Sequence, residues 1–111
     1  MGVKMPQVND DYQLCQWLAI NVMGWTIDGN WYKEGDRCWP LPVRQWEPTE
    51  NHAQALTVLE KCLPGFGASI VFDVAERCFV IKAVHEDCDV VVKAERITLA
   101  ICKYCHQLLS Q

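Results

Sequence analysis

Apolar residues recur at helical spacing in three segments of the chain. The first segment predicts a helix over 10–23, and the last predicts a helix over 95–109. Between them, the spacing predicts a helix from about 49 to 63, with Thr49 or Asn51 as its N-cap. An apolar stripe along each segment indicates helices that pack against a common core.

Three short runs rich in valine, isoleucine and phenylalanine lie between the second and third helices. They predict strands over 68–74, 78–84 and 89–93. Apolar residues occupy both alternations of these strands, as at Ile70 and Val71. A sheet with one solvated face alternates more cleanly, so we expect both faces of this sheet to be covered by helices.

A β-hairpin is predicted between the first and second helices. Asp28 and Gly29 form a tight-turn dipeptide with apolar residues on both sides. Pro40 and Pro42 follow, and they exclude a central strand in favour of an extended edge or a loop. The order of elements predicts an α+β fold with a central, mostly antiparallel sheet and three helices covering both faces, which is an α-β-α sandwich.

Composition and charge narrow the possible functions. The chain has 111 residues, 50% of them hydrophobic, which predicts one domain over 1–111 with a flexible stretch at 1–8. The ten lysines and arginines do not cluster and the net charge is −4, which argues against nucleic-acid binding. No apolar segment is long enough to cross a membrane, and we expect no export signal from the pattern of the first residues. We expect a cytoplasmic protein in which the seven cysteines stay reduced.

Three stretches of the chain resemble one family in their order and spacing. They are LAINVMGW, WEPTENHAQALTVLEKC and AERITLAICKYC. Together they resemble the phage ABA sandwich domain, a small domain of bacteriophages and prophages. The resemblance implies helices on both sides of a sheet and no assigned enzymatic activity. It also implies structural roles for the residues shared with the family, namely Gly24, Trp25, Trp46, Pro48, Ala100 and Ile101.

The chain departs from that family pattern in the third helix. Arg96 stands where the family usually has a threonine or serine-like cap. Tyr104, Cys105 and His106 stand where the family usually has alanine and leucine. The resemblance therefore does not account for the cysteines and histidine at this end of the chain.

The sequence motif C-x-x-C-H occurs at Cys102, Cys105 and His106. It is the attachment signature of c-type haem and, read more loosely, a redox dithiol or half of a zinc site. On a helix, however, Cys105 faces the core and His106 faces solvent, so the side chains do not converge. The negative end of the helix dipole also disfavours a thiolate here. We expect buried thiols and no cofactor.

A zinc-stabilised domain remains an alternative. Cys78, His85 and Cys88 could add ligands from the strands to those of the last helix. Such a domain would lose its fold when the metal is chelated.

Aromatic residues and arginines are interleaved in the first half of the chain. Trp17, Trp25 and Trp46 are expected in the core, which leaves two of the five tryptophans as candidates for exposure. Rigid aromatic rings beside arginine are typical of protein-binding hot spots and of base-stacking pockets. We predict a partner-binding surface made of Trp31, Arg37, Trp39 and Arg44.

No phosphate-binding loop, nucleophile elbow or zinc-protease motif is present in the sequence. We therefore expect a non-enzymatic phage or prophage accessory protein in the host cytoplasm. Its expected role is that of a protein-interaction module, which acts by self-association or by binding a host protein. The alternative is a small-molecule or nucleotide-binding protein that sequesters a host signal.

Overall fold

The structure, a computed structural model, describes residues 11–34, 37–62, 67–84 and 87–110, with residues 37–40 described by their backbone alone. Asp10, the first residue of the first predicted helix, and the stretch 1–8 lie outside the described residues. The elements in chain order are α1 (Asp11–Asn21), β1 (Thr26–Asp28), β2 (Trp31–Glu34), β3 (Arg37–Pro42), a 3₁₀ turn (Val43–Gln45), α2 (His52–Cys62), β4 (Ala68–Asp73), β5 (Cys78–Ala83), β6 (Val91–Ala94) and α3 (Ile97–Leu109).

The three helices and the order of elements confirm the predicted α+β class. Gly24 follows α1 with a φ of 72°, and Gly29 begins the β1–β2 loop with a φ of 62°, which is backbone that favours glycine at both places. Of the two predicted caps of α2, Asn51 is the one used. Its Oδ1 accepts the Gln54 N–H at 3.0 Å.

The strands form two antiparallel sheets where the sequence predicted one central sheet. The first sheet has the order β1-β2-β3 and the second has the order β4-β5-β6. As predicted from its two prolines, β3 lies at an edge. Pro40 and Pro42 are two residues apart and both lack an N–H donor. A further strand therefore cannot form a regular hydrogen-bonded ladder along the outer edge of β3. No strand in the described part of the chain joins the two sheets.

The two faces of the second sheet differ in burial. Ile81 and Val92 lie opposite each other on one face and belong to the core. On the other face Val71 and Val91 are 54% and 50% exposed, and Lys82 beside them is exposed. The expectation that helices cover both faces is corrected here. Valine is favoured at exposed strand positions as well as in cores, so an apolar run does not by itself predict a covered face.

Helix α3 occupies the centre of the molecule. It contacts α1 and α2 as well as β5 and β6. Ile101, Tyr104 and Cys105 are buried, and for Cys105 this confirms what the helical spacing predicted. Cys102 is fully buried as well, because α1 and α2 pack on the sides of α3 that the sheet leaves open. One helix thus buries residues on most of its circumference.

Hydrogen bonds join the starts of the helices to one another. The Trp46 indole Nε1 donates to the Cys15 carbonyl at 2.8 Å. The Thr98 hydroxyl donates to the Thr49 carbonyl at 2.6 Å, and both threonines are buried. Arg96 makes no side-chain cap for α3 and instead forms ion pairs with Asp11 and Glu50 across the helix starts. We call this set of contacts the helix junction.

Trp46, with Trp25 beside it, connects the junction to the first sheet. Trp46 is buried, and the Trp25 ring packs edge-on against it with 4.7 Å between ring centroids. Trp25 also contacts the buried Tyr32 of β2, with 5.8 Å between centroids. The core role that the resemblance implied for Trp46 is confirmed, and Trp25 is half-buried.

The variant Thr98→Val tests the helix junction. It keeps the side-chain volume but leaves the buried Thr49 carbonyl without the hydroxyl donor, so we expect the free energy of unfolding to fall by about 1–3 kcal/mol. The matched control is Thr57→Val, which removes a hydroxyl that bonds to the Ala53 carbonyl at the exposed surface of α2. We expect the control to stay within about 0.5 kcal/mol of the original chain in urea unfolding. Equal losses in both variants would contradict the structural role of the junction.

Candidate functional site

Trp31 projects from the outer face of the first sheet. It lies opposite Asp28 on one side and Pro42 on the other, so these three residues share a face. The next pair along, Tyr32 and Leu41, points to the core instead. Trp31 is 45% exposed, which is a large amount for an indole ring. The alternation of the hairpin therefore presents Trp31 to solvent while it buries Tyr32.

Arg44 lies close to Trp31 in the fold. The 3₁₀ turn that contains Arg44 is held to the hairpin loop by the Val43 N–H, which donates to the Asn30 carbonyl at 2.9 Å. Since Asn30 precedes Trp31 and Val43 precedes Arg44, the two exposed side chains stand on adjoining segments. We call the group Asp28, Trp31, Pro42 and Arg44 the Trp31 surface.

The other two predicted residues belong to β3, and their side chains lie outside the described residues. The backbone of Arg37 pairs with that of Glu34, at the end of the β2–β3 ladder that is opposite to the Trp31–Pro42 pair. Arg37 is five residue steps along the strand from Pro42, which is about 16 Å. The structure therefore sets the backbone segments of Trp31 and Arg44 next to each other and places Arg37 at the other end of the strand.

A cavity of about 350 Å³ adjoins Arg44 on the side of the helix junction. Its wall includes Tyr12 and Trp46 together with three carboxylates, those of Asp11, Glu47 and Glu50. The size is within the range of small-ligand pockets. The charge on its wall is predominantly negative, although Arg96 neutralises part of it through its ion pairs. Such a wall disfavours a phosphate-bearing ligand.

The two cysteines of the C-x-x-C-H motif are core residues. Cys102 and Cys105 are both fully buried, and burial raises the pKa of the Cys102 thiol well above its ordinary value. A hydrogen bond with Cys62 and burial raise the pKa of Cys105 in the same direction. These groups are therefore thiols rather than thiolates at neutral pH, and a thiolate is the form that attacks disulfides or binds metal.

His106 is half-buried where the sequence predicted a solvated side chain. Its imidazole packs edge-on against the Trp17 indole with 4.6 Å between ring centroids. Burial lowers its pKa from 6.5. The contact could not be read from the helical angle of His106, because α1 covers that side of α3.

Within the described ranges, no three cysteine, histidine, aspartate or glutamate residues are grouped closely enough to hold a metal ion. Cys78 is buried beside Glu76, with 3.7 Å from its sulfur to a Glu76 carboxylate oxygen, and Cys88 is half-buried. His85, the remaining ligand of the zinc alternative, lies outside the described residues.

Comparisons with known proteins place the fold. A scan of protein-family models found no match, and a search of curated proteins found none either. Among solved structures, the chain is similar to a crystal structure of a phage protein from Bacillus cereus, with a TM-score of 0.72 and 17% sequence identity. The similarity covers 92% of this chain and 89% of that chain. The chain therefore has the α+β fold of that phage protein, and the resemblance to the phage ABA sandwich domain stays a prediction.

In the described part of the chain, no helix is both long enough and apolar enough to cross a bilayer.

The negative wall of the cavity predicts no response to nucleotides. A nucleotide at 100 times its dissociation constant would add about 2.7 kcal/mol to the free energy of unfolding. We expect no such stabilisation in a thermal-shift panel of nucleotides, because Asp11, Glu47 and Glu50 repel phosphate groups at this site. A stabilisation that disappears in the variant Arg44→Ala would contradict this expectation and support the small-molecule alternative.

The lowered pKa of His106 predicts a loss of stability in mild acid. Between the folded-state pKa and 6.5 the unfolded chain binds more protons than the folded chain, so the free energy of unfolding falls as the pH decreases through that interval. We expect urea unfolding between about pH 8 and pH 5 to show this slope in the original chain and to show less of it in His106→Gln. The control His52→Gln changes an exposed histidine and should keep the slope. An unchanged slope in His106→Gln would refute the assignment.

Proposed function

We propose that this chain is a phage or prophage accessory protein that acts in the host cytoplasm by binding another protein, without catalysing a reaction. The observation that carries the proposal is the Trp31 surface, where Trp31 is 45% exposed and the adjoining segment carries the exposed Arg44. Tryptophan and arginine are the residue types most enriched at binding hot spots. The fold shared with a phage protein supports the proposed origin.

The hairpin holds the Trp31 surface in place before any partner binds. The hairpin that carries Trp31 is anchored from below by Tyr32, which is buried against Trp25. Asp28 of β1 and Lys33 of β2 form an ion pair that links the two strands on the face that carries Trp31. A rigid support means that little conformational entropy is lost when the indole is buried by a partner.

The buried thiols are unsuited to catalysis, which supports a protein that acts by binding. Cys102 and Cys105 have no access to solvent, and burial keeps them protonated. A catalytic thiol needs both access and a lowered pKa. We therefore assign these cysteines to the packing of α3 and not to a reaction.

The variant Trp31→Ala tests the Trp31 surface. We expect it to fold normally and to lose capture of the partner, since truncating one hot-spot tryptophan costs about 2 kcal/mol or more, or roughly thirtyfold in the dissociation constant. The measurement is quantitative mass spectrometry of host proteins retained by the immobilised chain, with free chain as competitor.

The matched control for that experiment is Leu56→Ala. Leu56 is 52% exposed on α2, so this variant removes a similar apolar side chain from a different surface. Circular dichroism and urea unfolding establish that each variant is folded. Equal capture by the tryptophan variant and by Leu56→Ala would sink the proposal.

A further inference from the structure

Within the described part of the chain, β4 is an edge strand without the usual protection. Among the strands that the structure describes, β1 and β6 are short edges of three and four residues, and β6 carries Lys93. The edge strand β3 contains Pro40 and Pro42. By contrast, β4 has six residues, contains no proline or lysine, and pairs with β5 from end to end without a bulge. Proteins block edges with short strands, lysines, prolines and bulges, because an open edge pairs with another strand.

The side chains of β4 are apolar and exposed on both faces. Ile70 and Phe72 are 39% and 47% exposed on the face that continues into the core. They remain exposed because α3, which packs on this face, lies over β5 and β6 rather than over β4. Val71, on the opposite face, is 54% exposed. Three consecutive apolar residues on an open edge are what strand pairing would cover.

We propose that β4 is a dimerisation strand, on which a second copy of this chain adds its own β4 in antiparallel orientation. The β4-β5-β6 sheet of one copy then joins the β4-β5-β6 sheet of the other. The result is one continuous sheet with β4 of each copy at its centre. This inference is independent of the Trp31 surface, which belongs to the first sheet.

The sequence of β4 is self-complementary about Val71. When a two-fold axis passes between the two copies at Val71, that residue faces the partner's Val71. Ile70 then lies opposite the partner's Phe72, and the same pair occurs again on the other side of the axis. Residues directly opposite in an antiparallel pair share a face, so these pairs bury the exposed apolar groups against one another. A slip by one residue would turn the partner's sheet over and separate these pairs.

The charges on the outer face also fit a second copy. Asp73 is the only charged residue of β4, and in this register it lies opposite the partner's Ser69. In β5, Lys82 is the direct neighbour of Ser69 and is exposed. The partner's Lys82 therefore reaches past a small serine towards the Asp73 carboxylate, and symmetry repeats this contact. A register that set the two Asp73 carboxylates against each other would be repulsive.

The size of this contact predicts a reversible dimer. Two six-residue strands with their side chains bury less than the about 1,200–2,000 Å² of a standard stable interface. We therefore expect an equilibrium between monomer and dimer that depends on protein concentration.

The variant Val71→Lys tests the proposal in sedimentation velocity over a wide concentration range. It places two ammonium groups opposite each other at the two-fold axis, and we expect the dissociation constant of the dimer to rise about tenfold or more. The matched control is Val91→Lys, because Val91 is 50% exposed on the same face of the same sheet but lies on the other edge strand. The control should dimerise like the original chain.

A mixture of Val71→Lys with Val71→Glu tests the register itself. Since position 71 faces its own copy, the mixture should recover the dimer that each variant lacks alone. A chain that stays monomeric at every concentration would overturn the proposal, even if β4 then captured a strand of another protein. A dimer that Val71→Lys and Val91→Lys leave equally intact would also overturn it. Trp31→Ala should leave the dimer unchanged, which separates this outcome from that of the proposed function.

Discussion

The hydrogen bond from the Thr98 hydroxyl to the Thr49 carbonyl sets the position of α3, and the other elements are arranged around that helix. It is buried, and at 2.6 Å it joins the first turn of α3 to the segment that leads into α2. The bond from Trp46 to the Cys15 carbonyl joins the same segment to α1. A buried carbonyl without a donor costs about 1–3 kcal/mol, so arrangements of the helices that break these bonds are disfavoured.

The central position of α3 has consequences for both surfaces of interest. Because α1, α2, β5 and β6 all pack on α3, the edge strand β4 receives little cover and keeps Ile70 and Phe72 exposed. The first sheet is connected to the core through Trp25 and Tyr32, and its outer face carries Trp31 away from the helices. The two exposed apolar regions are therefore products of one packing arrangement, and they lie on different sheets.

The candidate site could be predicted only in part. The interleaved tryptophans and arginines indicated the hairpin region, and Trp31 is exposed there beside Arg44. Closeness along the chain grouped Arg37 with the other candidate residues. In the fold, however, Arg37 lies at the opposite end of the β2–β3 ladder from Pro42. The open edge of β4 was missed, although its signal was present as six strand residues without proline or lysine. A run of apolar residues predicts a strand but does not say whether another element lies beside it.

Local patterns in the sequence determined the three helices, the strands, the hairpin and the burial of Cys105, because backbone propensity and side-chain spacing act over a few neighbouring residues. The division into two sheets, the open face at Val71 and the contact of His106 with Trp17 were decided by the tertiary structure. Each of these features depends on which surface of one element another element covers. That choice is made by contacts between residues far apart in the chain, which the spacing of residues within one element does not contain.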